Sequence, residues 1–83
     1  MVDVRYTSAA QKALARLAPD MAARIVAKVE RYAADPAGSA RNVKALKGAG
    51  LTRLRVGDYR VIMDESGTVL LVVRIGHRRE AYR

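Results

Sequence analysis

The chain contains no cysteine. This excludes disulfide staples and cysteine-ligated metal, and it fits a reducing, cytoplasmic setting. Histidine occurs once, at position 77, and the carboxylates are scattered, so no cluster has metal-ligand spacing and no metal or other cofactor is expected. No charged start leads into a long apolar run, and no stretch is apolar enough to span a bilayer, which argues against secretion and membrane insertion. No glycine-rich phosphate loop opens a helix. Ser66, His77 and Asp58 combine into a catalytic triad only on paper, because no nucleophile turn accompanies them. Internal repeats and low-complexity segments are absent as well.

Acidic residues are the scarce charge. Sixteen Lys and Arg face eight Asp and Glu, for a net charge of +8 over 83 residues. The excess is uneven: residues 1–40 hold six basic and four acidic residues, whereas residues 41–83 hold ten basic and four acidic. Such a field attracts polyanions, namely nucleic acid, an anionic membrane surface or an acidic protein. The plainer reading is a solubilising charge. The length suits one domain, residues 1–83, and 51% apolar with 29% charged residues argues against disorder.

The hydrophobic pattern predicts the order β-α-α-β-β-β. Val2–Tyr6 alternates in period two and reads as a strand. Ser8 and Gln11 then fit a capping box, and Ala10, Ala13, Leu14 and Leu17 share one helical face. Pro19 suits the first turn of a second helix, with Asp20 complementing its N-terminus. Met21, Ile25, Val29 and Tyr32 form the apolar stripe of that helix, and Arg24, Lys28 and Arg31 read as its solvated face. Asp35-Pro36-Ala37-Gly38-Ser39 is a breaker cluster. The stretch from there to Gly50 is loop-like, with Val43 and Leu46 as apolar anchors. Three strands follow, at 51–56, 59–63 and 69–75, separated by turns at Gly57-Asp58 and Glu65-Ser66-Gly67. The last is nearly all apolar, as in a strand covered on both faces. The expected fold class is α+β, a helical hairpin packed on one face of a small, mainly antiparallel sheet.

Alternation then aims the arginines. In Arg53-Leu54-Arg55-Val56, the two arginines share one face, and Leu54 and Val56 take the other, which must meet the helices. Tyr59 and Val61 suit the core, so Arg60 joins Arg53 and Arg55 on the open face. Guanidinium is permanently charged and grips phosphate with a bidentate fork. Some arginines have Asp58, Asp64, Glu65 and Glu80 as possible partners, but four acids do not neutralise ten basic residues, which favours an anion site. After the last strand, Gly76 precedes His77-Arg78-Arg79. His77 is either a bystander or a group that moves protons near neutral pH. Tyr82 is either an apolar anchor, a platform for a base, or a proton-transfer group. No helix concentrates base-reading side chains, which argues against a DNA-binding protein.

Several blocks together resemble the RelE/ParE superfamily of bacterial toxins nearly end to end. They are the opening strand with its tyrosine, Asp35-Pro36 after the hairpin, Leu46-Lys47-Gly48, the run from Arg53 to Val61, and the ending Gly76-His77-Arg78-Arg79-Glu80-Ala81-Tyr82-Arg83. The last two blocks carry most of the specificity, and they look most like the RelE branch. The resemblance implies a type II toxin that enters the ribosomal A site and cuts mRNA there, inhibiting translation. In that metal-independent reaction the ribose 2′-OH attacks the adjacent phosphate. By position, Arg60 matches the strand arginine at the scissile phosphate, Arg78 the second phosphate-stabilising arginine, and Tyr82 the C-terminal tyrosine. Arg53 stands where the best-known members have lysine, and a second family lysine falls on Leu51, with Lys47 as a substitute. Arginine stays protonated and is a poor general base, so His77 and then Tyr82 are the candidates for taking the 2′-OH proton. Lys47, Arg55, Arg79 and Arg83 are the further RNA-binding candidates. The resemblance also implies a cognate antitoxin with an acidic toxin-binding segment, and operator DNA bound only through that complex. Two alternatives within the resemblance are a ParE-like inhibitor of DNA gyrase and a catalytically weak antitoxin-binding homologue.

Overall fold

A computed structural model describes residues 3–46, 50–66 and 68–77 of the chain. Strand β1 (Asp3–Tyr6) leads into α1 (Ser8–Arg16) and α2 (Pro19–Ala34). A 3-10 turn (Ala37–Asn42) then connects to β2 (Val43–Leu46), β3 (Leu51–Val56), β4 (Tyr59–Ser66) and β5 (Val69–His77). The five strands form one sheet in the order β1-β5-β4-β3-β2. The β1–β5 pair is parallel and the other three pairs are antiparallel. The expected hairpin-on-sheet architecture is present.

Three local expectations change. Glu65 and Ser66, expected in a turn, extend β4 because they pair with Leu70 and Val69 of β5. The helix cap is Thr7 rather than Ser8: its hydroxyl accepts from the Ala10 backbone N–H at 3.1 Å and donates to the Val73 carbonyl at 2.8 Å. Gln11 does reach back, but to the Tyr6 carbonyl at 3.1 Å. A side chain one residue earlier wins because it ties the helix start to the sheet as well as satisfying an orphan N–H. The segment expected to be loop contains β2. Its pairing with β3, Val43 opposite Leu54 and Leu46 opposite Leu51, supplies the hydrogen bonds that an isolated four-residue run lacks.

The core lies between the helices and one sheet face. Ile25, Val29 and Tyr32 of α2 and Ala10 of α1 meet Leu54, Val56, Val61, Met63, Leu70, Val72 and Ile75, all buried. Val43, an expected anchor, packs against this cluster. The Tyr32 hydroxyl donates to Glu65 Oε2 at 2.7 Å, and the Thr52 hydroxyl donates to the same oxygen at 3.1 Å. Burial, and then the hydrogen bond and charge of Glu65, push the Tyr32 phenol up to about 12. No helix among the described residues is long and apolar enough to cross a membrane.

Candidate functional site

The open face is built by cross-strand pairing, since residues directly opposite each other in a ladder project to the same side. Arg55 stands opposite Arg60, Arg53 opposite Ile62, and Lys44 opposite Arg53. On the other side of β4, Arg60 stands opposite Gly76 and Ile62 opposite Arg74. Lys44, Arg53, Arg55, Arg60 and Arg74 therefore share the face away from the helices. The sequence-predicted trio of Arg53, Arg55 and Arg60 is brought together as expected. Lys44 and Arg74 are additions.

Arg74 is there because of a β-bulge. Asp64 pairs with Leu71 and Met63 with Val72, but Ile62 pairs with Arg74, leaving Val73 as the extra residue. Val72 faces the core. Strict alternation from it would bury Arg74 and turn Ile75 and His77 outward. The bulge reverses all three: Ile75 is 7% exposed in the core and Arg74 is exposed. The Val73 carbonyl accepts from the Thr7 hydroxyl, so the bulge is anchored to the start of α1.

The same reversal places His77 on the helix side. It pairs with Tyr59, and the two rings meet edge to face with centroids 5.7 Å apart. His77 lines a cavity of about 400 Å³ with Ala13, Arg16, Leu17, Tyr59, Ile75 and Gly76. The structure does not bring His77, the first candidate for the 2′-OH proton, together with Arg53, Arg55 and Arg60.

Arg60 is held more firmly than an ordinary surface arginine. The β3–β4 turn is a two-residue hairpin in which Gly57 takes φ +57 while Asp58 does not have positive φ, as a type II′ turn requires. Nη1 of Arg60 donates to the Gly57 carbonyl at 3.2 Å and to the Tyr59 carbonyl at 3.1 Å. Both Nη1 protons are thereby used on the turn. Nε and Nη2 form the remaining bidentate edge, and Nε is buried with no acceptor among the described residues. A buried, unpaired donor on a cation is costly, and a phosphate oxygen relieves that cost.

Beside the trio, Arg41, Asn42, Val43, Lys44, Arg53 and Arg55 line a cavity of about 230 Å³. Among the described residues, Arg41, Lys44 and Arg55 have no carboxylate within ion-pair distance. The signal for Arg41 and Lys44 was absent from the sequence because β2 was not legible. The other expected site residues, Lys47, Arg78, Arg79, Tyr82 and Arg83, lie outside the described residues.

The fold and its arginine face can be compared with known proteins. The model of the ParE toxin family, toxins of the parDE type II toxin–antitoxin system, matches residues 4–82. The chain belongs to this family. Its likeness to solved structures runs mostly to RelE proteins of the same superfamily. The toxin–antitoxin complex RelBE2 from Mycobacterium tuberculosis contains a chain 27% identical, with 93% of this chain and 98% of that one covered and a TM-score of 0.78. The archaeal RelE–RelB complex from Pyrococcus horikoshii matches at 27% identity, 96% and 98% coverage and a TM-score of 0.77. A chain of the chromosomal ParDE system from P. aeruginosa shares the fold, with 15% identity, 93% and 96% coverage and a TM-score of 0.67. No curated protein sequence matches significantly. This toxin thus gathers Lys44, Arg53, Arg55, Arg60 and Arg74 on the sheet face that the helical hairpin leaves open.

Proposed function

We propose that this type II toxin is a ribosome-dependent mRNA endoribonuclease. The observation that carries the proposal is the open sheet face, where Arg53, Arg55 and Arg60 stand together and Arg60 keeps one bidentate edge for an acceptor. The reaction is attack by a ribose 2′-oxygen on the adjacent phosphorus. The new 2′-O–P bond forms as the P–O5′ bond breaks, leaving a 2′,3′-cyclic phosphate and a 5′-OH. The 2′-OH proton goes to a basic acceptor, and the leaving 5′-oxygen gains a proton. No metal is needed, because preorganised cations stabilise the charge that builds on the phosphoryl oxygens.

Arg60 grips the scissile phosphate, and Arg53 adds positive potential beside it. The resemblance assigns Arg78 to the same phosphate and Tyr82 to stacking or proton transfer. Arg55, Lys47, Arg79 and Arg83 hold the flanking backbone. With His77 on the helix side, Tyr82 is the stronger candidate for the proton. The partner that silences the toxin is a cognate antitoxin, as in the RelBE2 and archaeal RelE–RelB complexes. An acidic segment complements the +8 charge.

Primer extension on mRNA from a translating extract tests this reading. Arg60→Ala should cut about 10²–10³-fold more slowly, the effect of removing one transition-state donor. Cleavage at the wild-type rate in Arg60→Ala, or no cleavage by the wild type, overturns it. One observation favours a second reading: the ParE family model spans nearly the whole chain. A ParE-like toxin inhibits DNA gyrase instead. Loss of supercoiling with purified gyrase, with mRNA left intact, would establish that alternative.

A further inference from the structure

Two of the three cations expected on the solvated face of α2 have a different setting. Arg24 and Lys28 lie one turn apart on the flank beside the core stripe of Ile25 and Val29. Together with Asn42, Arg55, Val56, Gly57 and Asp58 they line a cavity of about 360 Å³. Arg24 Nη1 comes within 4.0 Å of the position a Cβ on Gly57 would occupy, so the guanidinium rests close against the β3–β4 turn. Arg31, the third cation, lines neither this cavity nor the one beside Arg53.

Asn42 and Arg55 belong to both cavities. Lining both, they place the two spaces side by side, and together the cavities outline one groove. It starts at Lys44 and Arg53 on the open face, passes Arg41 and Arg55, and turns the corner to Lys28 and Arg24 on the helix side. Among the described residues, six cations line it against one carboxylate, Asp58. Among the described residues, Arg24, Lys28, Arg41, Lys44 and Arg55 have no carboxylate within ion-pair distance.

We propose that this groove carries the phosphodiester backbone of a single RNA strand from the sheet face round to α2. The proposal rests on the RNA reading of the sheet face and names where the strand leaves it. Arg53 and Arg55 are two residues apart on one strand, about 6.8 Å along it, a spacing suited to successive phosphates. The path bends around the end of β3, and a flexible single strand follows such a bend where a stiff duplex does not. Among the described residues no aromatic ring lines the groove, so their part of it grips the backbone without stacking bases. Among the described residues its apolar lining is Val43 and Val56, too little to seat the apolar face of an antitoxin helix.

The test is the salt dependence of binding to a short 2′-O-methyl oligouridine, which the toxin does not cleave because the attacking hydroxyl is blocked. Fluorescence anisotropy is measured on full-length wild type, Arg24→Ala/Lys28→Ala and Arg31→Ala, each confirmed folded by its thermal transition. Arg24→Gln/Lys28→Gln, which keeps most of each stem, repeats the measurement if the alanine pair fails to fold. Each lost phosphate contact lowers the slope of log affinity against log salt by about 0.7, so the double variant should lose about 1.4. Arg31→Ala should retain the wild-type slope. An unchanged slope in the double variant, or an equal fall in Arg31→Ala, overturns the groove. So does a double variant that keeps RNA affinity but loses affinity for an oligoglutamate peptide, which would mark an acidic-protein dock. Wild type that cuts no mRNA, while the double variant loses slope, refutes the endonuclease reading and leaves the groove standing. Normal cleavage with no slope difference refutes the groove alone.

Discussion

Arg55 and Arg60 are paired directly across β3 and β4, so the functional face contains a like-charge contact that folding has to tolerate. Their Cβ atoms are separated by about 5 Å in such a pair. Arg60 is half-buried and tethered through Nη1 to two carbonyls, which limits its escape, whereas Arg55 is exposed. On Arg60's other side stands Gly76, which has no side chain to share the charge. Directly opposed like charges cost about 0.2–1 kcal/mol. Arg55→Gln removes that cost and should raise the melting temperature by about 1–8 °C, given a shift of about 4–8 °C per kcal/mol in a domain of this size. Arg55→Glu converts repulsion into attraction and should roughly double the gain. Circular-dichroism melts at low salt, and again in about 1 M salt where the Debye length falls to about 3 Å, provide the measurement. The gain should appear at low salt and largely vanish at high salt. The same substitution should weaken oligouridine binding, a trade of function against stability. An unchanged or lower melting temperature for Arg55→Gln at low salt, or a gain that survives high salt undiminished, would refute the reasoning.

Three further outcomes follow from particular contacts. Thr7→Ala removes the helix cap and the bond to the Val73 carbonyl, and urea denaturation should show a loss of about 1–2 kcal/mol, against no loss for the exposed Ser8→Ala. The Tyr32 phenol is raised from 10.0 to about 12 in the folded protein, so its contribution is fully present below pH 10 and is lost as pH rises towards 12. Wild type should therefore lose more stability over that range than Tyr32→Phe, and parallel losses would discount the Glu65 bond. His77→Gln should slow mRNA cleavage less than about tenfold, because the ring faces the helices, whereas loss of a true general base costs about 10²–10⁴-fold.

Much of this toxin is determined locally and is legible in the chain. Both helices carry their apolar residues at helical spacing over several turns, and a solvated side chain cannot be exchanged for a core one without losing burial. Hence Ala10, Ile25, Val29 and Tyr32 are core residues by pattern alone, and they are core residues in the fold. Arg53, Arg55 and Arg60 lie within seven residues of a tight Gly57-Asp58 turn in a regular stretch of ladder, so alternation is enough to put them on one face. What alternation does not contain is the partner strand. Only pairing with β3 makes a strand of Val43–Leu46 and brings Lys44 beside Arg53. Only the bulge opposite Ile62 and Met63 turns Arg74 outward and His77 inward, since one unpaired residue shifts every later side chain to the other face. And only the packing of α2 against the end of β3 joins Arg24 and Lys28, some thirty residues upstream, to the same basic groove as Arg55. The sequence alone determined that a cationic sheet face exists. Tertiary contact decided which cations stand on it, which leave it, and where it leads.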